Sequence, residues 1–521
     1  MRTGIQLLFL GVFTLLFFCN GWGETVPVPG DLFLRIDPLV AVLSCIASRH
    51  LHYNLLLSLT VVVSALFAGR FFCGYVCPLG TLFDLAGRIA RKKKRYQLCS
   101  VKYYILTFLV ACALFGVNLA YLFDPIAFLT RAYTFLLNPA AVFTANLGLD
   151  AVRPAADTFN LVYLAHKHFH QPIFLKSGIT FVLFLFVFIL NFFTHRFWCR
   201  YLCPLGALLG LLARFRAVRR HVGTACNSCM KCYQDCPMGA VAPQPRTTRE
   251  DECILCGTCA SICPQQAISF PPGAPLFVAP QPSGAAAGRR AVLATAGGVL
   301  AACAFRAMPA SATMRRRLLR PPGSVPEQTF LRLCVRCGEC MKVCPTNTLQ
   351  PCLFESSLEG IWSPRLFARL AGCDQTCKLC GTVCPTGAIR NLTLEEKKHA
   401  KIGTAVIDEK RCLVWEEDKL CLICDEQCPY NAIVFRWEKG FRRPFVVDNK
   451  CNGCGFCEEQ CPVEGEAAII VTAQDEMRLA RGSYIEKARE LQLHIEEDPG
   501  DDGFFFDDDI TPGTLPKGFR K

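Results

Sequence analysis

The sequence predicts a multi-domain chain in which an α-helical membrane domain of four spans is joined to small α+β domains. Hydrophobic residues make up 52% of the 521 residues and charged residues only 19%, which is apolar for a soluble protein. Several apolar stretches approach the ~20 residues that a bilayer span needs. The chain also has 34 cysteines, most of them in closely spaced runs.

The first 220 residues contain the four apolar stretches and are the predicted membrane domain. The stretches cover residues 4–22, 55–72, 103–123 and 174–193. The first could instead be a cleaved signal peptide, but its amino end has only Arg2 and no small-residue cleavage site follows Cys19. An uncleaved anchor is favoured, and four spans place both ends on one side.

Lysine and arginine counts in the short loops predict the orientation. Basic residues are dense in loops 88–95 and 196–220, and sparse in the other two, which hold Arg35 with Arg49, and Arg131 with Arg153 and Lys167. Because cytoplasmic loops are the ones rich in base, the dense loops are predicted to face the cytoplasm.

Four cysteine runs follow the pattern CxxCxxCxxxCP. They are Cys226, Cys229, Cys232, Cys236; Cys253, Cys256, Cys259, Cys263; Cys334, Cys337, Cys340, Cys344; and Cys451, Cys454, Cys457, Cys461. This is the bacterial ferredoxin pattern, in which three close thiolates hold one 4Fe-4S cluster and the fourth binds the neighbouring cluster.

Two further runs keep CxxCxxxCP but move the first cysteine. They are Cys373, Cys377, Cys380, Cys384 and Cys412, Cys421, Cys424, Cys428. Six sets of four predict six 4Fe-4S clusters, two in a bacterial-ferredoxin-like domain over 221–270 and four in a second over 326–475. Short apolar continuations after the runs, such as Ala267-Ile268, predict strands beside the cluster loops.

Two other uses of these cysteines were weighed. Disulfides are disfavoured by the repeated triads with their following prolines. Zinc is disfavoured because its sites use two cysteine pairs and leave the third regular cysteine unexplained. No CxxC is followed by His, so c-type haem attachment is excluded.

A duplicated motif ends the second and fourth spans. Residues 70–80 (RFFCGYVCPLG) and 196–206 (RFWCRYLCPLG) agree at eight of eleven positions, which indicates an internal duplication. The two copies contribute four cysteines to a tentative seventh metal or redox site: Cys73, Cys77, Cys199 and Cys203. The alternative is a purely structural helix exit.

Polar residues on the predicted outer face are less specific. Asp37-Pro38 and Asp124-Pro125 are good helix starts, and a carboxylate there could also take a proton from quinol. The histidines His166, His168 and His170, with His50 and His52, are expected to be exposed, and the alternative is that they bind metal or haem.

Residues 271–325 form a predicted linker, and residues 476–521 a helix with an acidic tail. In the linker, Arg289-Arg290 precede a short apolar run and Ala310-Ser311-Ala312. This segment resembles a twin-arginine export signal, although it lacks the usual Ser or Thr before the arginines and the Phe after them. Cys303 alternatively ends a lipoprotein-like processing site. A fifth membrane helix is the remaining alternative.

The net charge of +13 does not indicate nucleic-acid binding. Six clusters of about −2 each would lower it to roughly +1. Neither GxxxxGK[ST] nor GxGxxG in a strand-to-helix context occurs, so no nucleotide site is predicted.

These residues carry a family resemblance. Residues 1–270 resemble the NapH-type membrane subunit of periplasmic nitrate reductase systems. Residues 289–472 are similar to the NapG/MauM-type exported polyferredoxin, through Arg289-Arg290, the four runs from Cys334 and the stretch 360–385. The chain therefore resembles a fusion of the two.

The resemblance also implies how the clusters share cysteines. The implied sets are Cys334, Cys337, Cys340 with Cys461; Cys451, Cys454, Cys457 with Cys344; Cys373, Cys377, Cys380 with Cys428; and Cys412, Cys421, Cys424 with Cys384. In the first domain, Cys226, Cys229, Cys232 are expected with Cys263, and Cys253, Cys256, Cys259 with Cys236.

The resemblance implies a multi-pass protein of the cytoplasmic membrane that carries electrons from the quinol pool to a periplasmic acceptor such as a cytochrome or reductase. The second ferredoxin domain is then expected in the periplasm. Two alternatives stay open: a maturation factor that supplies electrons to a metalloenzyme, and a carrier between a cytoplasmic ferredoxin and a membrane partner.

Overall fold

A helical bundle and two cysteine-rich α+β parts make up the chain in the computed structural model. The structure describes residues 2–20, 29–89, 98, 100–159, 161–162, 166–272, 295–300, 317–353, 355–356, 358–438 and 440–495. The export-like Arg289-Arg290 pair, Cys303, most of the linker and the acidic tail lie outside these residues.

The bundle is built from eleven helices within the described part of residues 1–220. They are α1 Arg2–Cys19, α2 Leu32–Arg35, α3 Pro38–Ser48, α4 Ser58–Ala68, α5 Pro78–Ile89, α6 Val101–Leu114, α7 Ala120–Phe123, α8 Pro125–Ala132, α9 Asn138–Thr158, α10 Ser177–Phe193 and α11 Pro204–Leu212. Three π-helical turns join them, at Phe72–Val76, Tyr133–Leu137 and Trp198–Leu202. π-Helical turns are rare in proteins, and those that occur often lie at functional sites.

Two helical stretches of the described chain are long and apolar enough to cross a membrane, Arg2–Cys19 and Pro125–Pro154. The first is the predicted first span. The second lies in the segment that the sequence predicts as an outer loop, and in the structure α8, a π-turn and α9 form one continuous helical stretch there. The other predicted spans are shorter apolar helices of 10–17 residues, so four spans are not confirmed.

The first cysteine-rich part is closed by a short two-stranded sheet at its ends. Strand β1 (His221–Val222) pairs antiparallel with β2 (Ile268–Ser269). Between them lie α12 (Lys231–Gln234) and α13 (Thr258–Ser261). The strand predicted after Ala267 is thus present beside its cysteine run.

The second cysteine-rich part contains three more antiparallel sheets. They are β3 (Leu349–Pro351) with β4 (Pro364–Leu366), β5 (Thr404–Ile407) with β8 (Ile469–Thr472), and β6 (Ile433–Glu438) with β7 (Phe441–Val446). Its helices are α14 Glu327–Leu333, α15 Glu339–Lys342, α16 Leu379–Thr382, α17 Leu394–His399, α18 Leu413–Glu416, α19 Ile423–Glu426, α20 Phe456–Glu459 and α21 Tyr484–Glu490. The β5–β8 pairing brings the middle of this part against the segment that follows its last cysteine run.

The two cysteine-rich parts pack at opposite ends of the bundle, and helix α6 demonstrates this. Near its first residue, Lys102 Nζ donates to Glu252 Oε1 of the first part at 2.7 Å. Beyond its last residue, Asn118 Nδ2 donates to the Arg332 carbonyl of the second part at 2.7 Å. A 14-residue helix is about 21 Å long, so the bundle separates the two parts.

Candidate metal centres

The four cysteines of the duplicated motif converge inside the bundle. Each of Cys77, Cys199 and Cys203 lies within electrostatic reach of Cys73, and Cys203 also of the other two. All four are buried. These residues are called the bundle quartet below, and their convergence agrees with the joint site expected from the duplication.

The two copies of the motif place their cysteines in the same way. Cys73 and Cys199 lie in π-turns, while Cys77 and Cys203 have extended backbone just before Pro78 and Pro204 begin new helices. At Cys203 the thiol sulfur accepts a hydrogen bond from the Gly206 amide at 3.3 Å. A helix amino terminus stabilises negative charge, which favours a thiolate at this position.

The arginine that opens each copy reaches across to the other copy. Arg196 Nη1 donates to the Cys73 carbonyl at 2.9 Å, and Arg70 Nη2 donates to the Cys199 carbonyl at 3.1 Å. Gly206 permits this approach, because a Cβ there would lie 2.4 Å from Arg70 Nη2. The motif's Arg and Gly therefore belong to one reciprocal arrangement, which sequence spacing alone did not reveal.

Each of these fully buried arginines has a carboxylate partner. Arg196 Nε donates to Asp84 Oδ1 at 2.7 Å, and Arg70 Nη1 donates to Glu252 Oε2 at 2.8 Å. Because Glu252 belongs to the first cysteine-rich part, this ion pair also fixes that part to the bundle.

In the first cysteine-rich part, one predicted set is confirmed as a spatial group. Cys236, Cys253, Cys256 and Cys259 line one small cavity and are called quartet II. Cys226, Cys229 and Cys232 lie together, and with the predicted fourth member Cys263 they are called quartet I. That fourth membership stays a prediction.

Arg220 lies between these two quartets. Its Nη2 donates to Cys232 Sγ at 3.5 Å, and its guanidinium also hydrogen-bonds Cys259. From the sequence, Arg220 is predicted only to be one of the basic residues of the loop 196–220. Its position just before the first run was the available signal.

In the second cysteine-rich part, the fourth cysteines are exchanged differently from the implied sets. Cys384, not Cys461, lines a cavity with Cys334, Cys337 and Cys340, and these four are quartet III. Cys344, not Cys428, lies beside the first three cysteines of its neighbouring run. Quartet IV therefore comprises Cys344, Cys373, Cys377 and Cys380.

The other two runs exchange fourth cysteines with each other. Quartet V, around one cavity, comprises Cys428, Cys451, Cys454 and Cys457. Quartet VI, around another, comprises Cys412, Cys421, Cys424 and Cys461. The cysteine sets implied by the resemblance are therefore wrong. In the structure each run exchanges its fourth cysteine with the run next to it in the chain, and the pairing of β5 with β8 holds the last two runs together.

The thiols have the chemistry that an iron-sulfur cluster needs. The cysteines of the seven quartets are free of disulfide bonds. Burial raises the pKa of Cys454 to about 12 and that of Cys373 to about 11, so thiolates there require a compensating cation. Backbone amides of Ala432 and Ala468 donate to the sulfurs of Cys428 and Cys461 at 3.3 and 3.4 Å.

The quartets fit clusters better than single ions. Within the described residues, no three His, Cys, Asp or Glu side chains lie close enough to hold one metal ion. In a cubane each thiolate binds a different iron, so its four sulfurs stand wider apart than the ligands of one ion. That the bundle quartet holds a seventh cluster stays a prediction.

Contacts between neighbouring groups give the order of the quartets along the molecule. Tyr75, beside the bundle quartet, donates to the Leu255 carbonyl in the quartet II loop at 2.9 Å. On the other side, Arg131 lies within electrostatic reach of Cys337 in quartet III. Beyond it, Cys380 neighbours Cys340.

The row continues through the last quartets. The Cys373 amide of quartet IV donates to the Cys454 carbonyl of quartet V at 2.7 Å. Cys424 of quartet VI in turn neighbours Cys457. The order along the molecule is therefore I, II, bundle, III, IV, V and VI.

The outer-face expectations had mixed outcomes. His50, His166, His168 and His170 are exposed, as expected, whereas His52 is partly buried, with its Nε2 2.9 Å from Ser48 Oγ. Asp37 and Asp124 cap their helices, but both are completely buried and not at a surface.

Comparison with known protein families agrees with this assignment of cysteine-rich segments. A 4Fe-4S binding domain model matches residues 52–97 and 177–223, the two copies of the bundle motif. A 4Fe-4S dicluster domain model matches residues 419–464. A further 4Fe-4S binding domain model matches residues 247–269 and 331–350.

Comparison with curated proteins found relatives of two kinds. Ferredoxin-type protein NapG of Escherichia coli is 34% identical over 37% of this chain and 86% of its own length. Methylamine utilization ferredoxin-type protein MauM of Methylorubrum extorquens is 38% identical over 30% of this chain and 74% of its own. Ferredoxin-type protein NapH of Haemophilus influenzae is 28% identical over 45% of this chain and 74% of its own. No solved structure matches the chain.

Proposed function

We propose that this chain conducts electrons through a membrane. It belongs to the NapG and MauM family of ferredoxin-type proteins and is a fusion with a NapH-like part. Iron-sulfur electron transfer of the ferredoxin type is its general function. The route, the source and the acceptor are the proposed elements.

The observation that carries the proposal is the ordered row of cysteine quartets with one quartet inside the bundle. When bound, 4Fe-4S clusters supply one-electron carriers. The residues of the chain hold the carriers in order, bury them and set their electrostatic surroundings through Arg220, Arg70 and Arg196. Such burial and hydrogen bonding are the protein's means of tuning a cluster.

The bundle's outer surface supports membrane insertion. Helix α10 exposes Phe181, Val182, Phe186 and Phe193, each more than half accessible to solvent. Contiguous exposed apolar side chains mark a membrane or protein contact. With the cytoplasmic orientation predicted for the basic loops, quartets I and II face the cytoplasm and quartets III to VI the periplasm.

The proposed electron source is the quinol pool and the proposed acceptor is a periplasmic redox protein such as a cytochrome or reductase. Quartet VI is the terminal group on that side, and Leu420, adjacent to Cys421, is 91% exposed. A partner can therefore approach this quartet directly. A maturation factor that delivers electrons to a metalloenzyme would use the same row, whereas a carrier confined to the cytoplasm would not need its two halves at opposite bundle ends.

Transfer of electrons across sealed vesicles tests the proposal. The full chain, purified without oxygen, is inserted into phospholipid vesicles that enclose ferricyanide, and dithionite or a quinol is added outside. Loss of the ferricyanide colour is expected with both reductants. If only dithionite supports transfer, the electron source is a soluble donor and not quinol. If neither reductant supports transfer, the proposal that the chain conducts electrons through a membrane is refuted.

A matched pair of cysteine variants controls this experiment. Cys77→Ser removes one member of the bundle quartet, whereas Cys45→Ser alters a partly buried thiol of α3 that has no assigned role. Transfer is expected to stop in the first variant and to persist in the second. Equal transfer by both variants would mean that the duplicated motif has only a structural role at the ends of its helices.

A further inference from the structure

Two buried carboxyl groups meet inside the bundle, and the electron route does not use them. Asp37 and Asp124 are both 0% exposed and lie within hydrogen-bond distance of each other. They occupy the same position in the duplicated Asp-Pro sequences at the starts of α3 and α8.

Each residue uses only one of its oxygens to cap a helix. Asp37 Oδ1 accepts from the Leu39 amide at 2.8 Å, and Asp124 Oδ2 accepts from the Ala127 amide at 2.7 Å. The remaining oxygens, Asp37 Oδ2 and Asp124 Oδ1, are buried without a hydrogen-bond donor in the described structure. A helix cap thus explains half of each carboxyl group and leaves the other half unexplained.

Two adjacent carboxylates that are both ionised and buried are strongly unfavourable. A proton between the two free oxygens removes the repulsion and supplies the missing donor, as in other carboxyl pairs that share one proton. The pair then carries a single negative charge.

A buried cation balances that charge and connects the pair to the cysteine row. Arg131 is fully buried and acts electrostatically on Asp124 and on Cys337 of quartet III. Its guanidinium stacks on the Trp362 ring, 4.1 Å from the centroid, and its Nε and Nη1 have no hydrogen-bond partner within the described residues.

Two other cations lie nearby: Arg332 of α14, whose Nε has no hydrogen-bond partner within the described residues, and the buried Arg336, which acts electrostatically on Arg131. Further charged groups on the surrounding elements are engaged elsewhere. Helix α10 has no charged residue, and Lys102 of α6 binds Glu252. On α2, Arg35 Nε binds Asp31 at 2.9 Å; on α14, Glu327 binds Arg320; on α5, Asp84 binds Arg196.

We propose that Asp37 and Asp124 form a proton-binding site that takes up one proton when one electron enters the adjacent part of the row, and releases it when the electron leaves. The incoming proton comes from water and forms an O–H bond with the carboxylate that has none. One negative and one positive charge enter together, so the net charge of the interior is unchanged. The proposal rests on the proposed function, which supplies the electron.

Infrared difference spectroscopy of the full chain tests this site. Spectra of the dithionite-reduced and the ferricyanide-oxidised protein, both prepared without oxygen, are subtracted in the region of the carbonyl stretch of protonated carboxyl groups. The difference is expected to contain a band that shifts in heavy water. Its absence in the unaltered protein would overturn the proposal, whatever the variants do.

Three variants assign the band. Asp37→Asn and Asp124→Asn each retain a cap acceptor, since Asn is as good an N-cap as Asp, and each should remove the band. Asp150→Asn, at an exposed carboxylate of α9, should leave it. A band that survives both variants of the pair would place the proton elsewhere and overturn the proposal.

Redox titration supplies a second measurement and separates this proposal from the proposed function. One proton per electron lowers a reduction potential by at most about 59 mV per pH unit. We expect a pH-dependent potential in the unaltered protein and a flatter one in Asp124→Asn, with the electron paramagnetic resonance signals of the clusters intact in both. Intact signals with identical slopes would refute the proton site alone, whereas missing signals in the unaltered protein would refute the proposed function.

Discussion

Replacing Glu252 by Gln should release the first cysteine-rich part from the bundle. The Glu252 carboxylate, 1% exposed, binds two completely buried cations, Arg70 and Lys102, at 2.8 and 2.6 Å. The Gln side chain keeps the shape but leaves both cations without a counter-charge. Removing one member of a buried ion pair costs about 3–5 kcal/mol.

That cost converts to a measurable opening of the interface. At 1.4 kcal/mol for each factor of ten, the undocked population should rise by roughly two to three and a half orders of magnitude. Amide hydrogen exchange of residues 249–257, followed by mass spectrometry, reports such opening directly. Electron passage between quartet II and the bundle quartet should fall with it.

Asp251→Asn is the matched control at the neighbouring position. Asp251 Oδ2 accepts from the Tyr103 hydroxyl at 2.8 Å, and Asn retains an acceptor there. Only the charge contribution to one hydrogen bond is lost, about 1 kcal/mol, or less than a tenfold change in exchange. If Glu252→Gln changes exchange no more than Asp251→Asn does, the buried ion cluster does not hold the interface.

Three further predictions concern the second cysteine-rich part. Cys384→Ser should alter the electron paramagnetic resonance signal of the cluster in quartet III, and Cys344→Ser the signal of the cluster in quartet IV. If Cys384→Ser instead removes only the signal of quartet VI, the pairing implied by the resemblance is correct. Although burial works to raise it, the Arg320 guanidinium lowers the pKa of Glu327 to about 2. Because this value is below the unfolded-state value near 4.5, the stabilisation exists above pH 4.5 and is lost as pH falls toward 2, so melting temperatures of the unaltered protein and Glu327→Gln should converge there. Trp362→Phe loses the indole hydrogen bond to α10, 3.1 Å long, and should weaken docking of this part by about 1 kcal/mol in the same exchange measurement.

The cysteine runs could be predicted from sequence because their chemistry is local. Three thiols at CxxCxx spacing belong to one loop, and that loop determines which three come together. The fourth cysteine joins a quartet across the fold, so its partner depends on sheet pairing. Cys461 therefore joins the run of Cys412, because β5 and β8 bring those segments together. The ferredoxin rule of exchange between consecutive runs agrees with this pairing, whereas the sets implied by the family resemblance do not.

The bundle was predicted less completely because hydropathy alone misjudges buried polar residues. The segment 125–154 was predicted as a loop between two spans, and it contains the polar residues Arg131, Asn138 and Asn146. In the structure all three are buried, and Arg131 stacks on a ring of the second cysteine-rich part. Likewise Asp37 and Asp124 were correctly predicted as helix caps, but their contact is a property of two distant segments that pack together.

A map of iron positions tests most directly the central claim that seven clusters form one row through the bundle. Full-length protein prepared without oxygen should give an anomalous signal at the iron absorption edge in seven places, one of them at Cys73, Cys77, Cys199 and Cys203 between quartets II and III. Its iron content should be about 28 per chain. Six sites with none inside the bundle, and about 24 irons, would contradict the row and leave the two cysteine-rich parts without a connection.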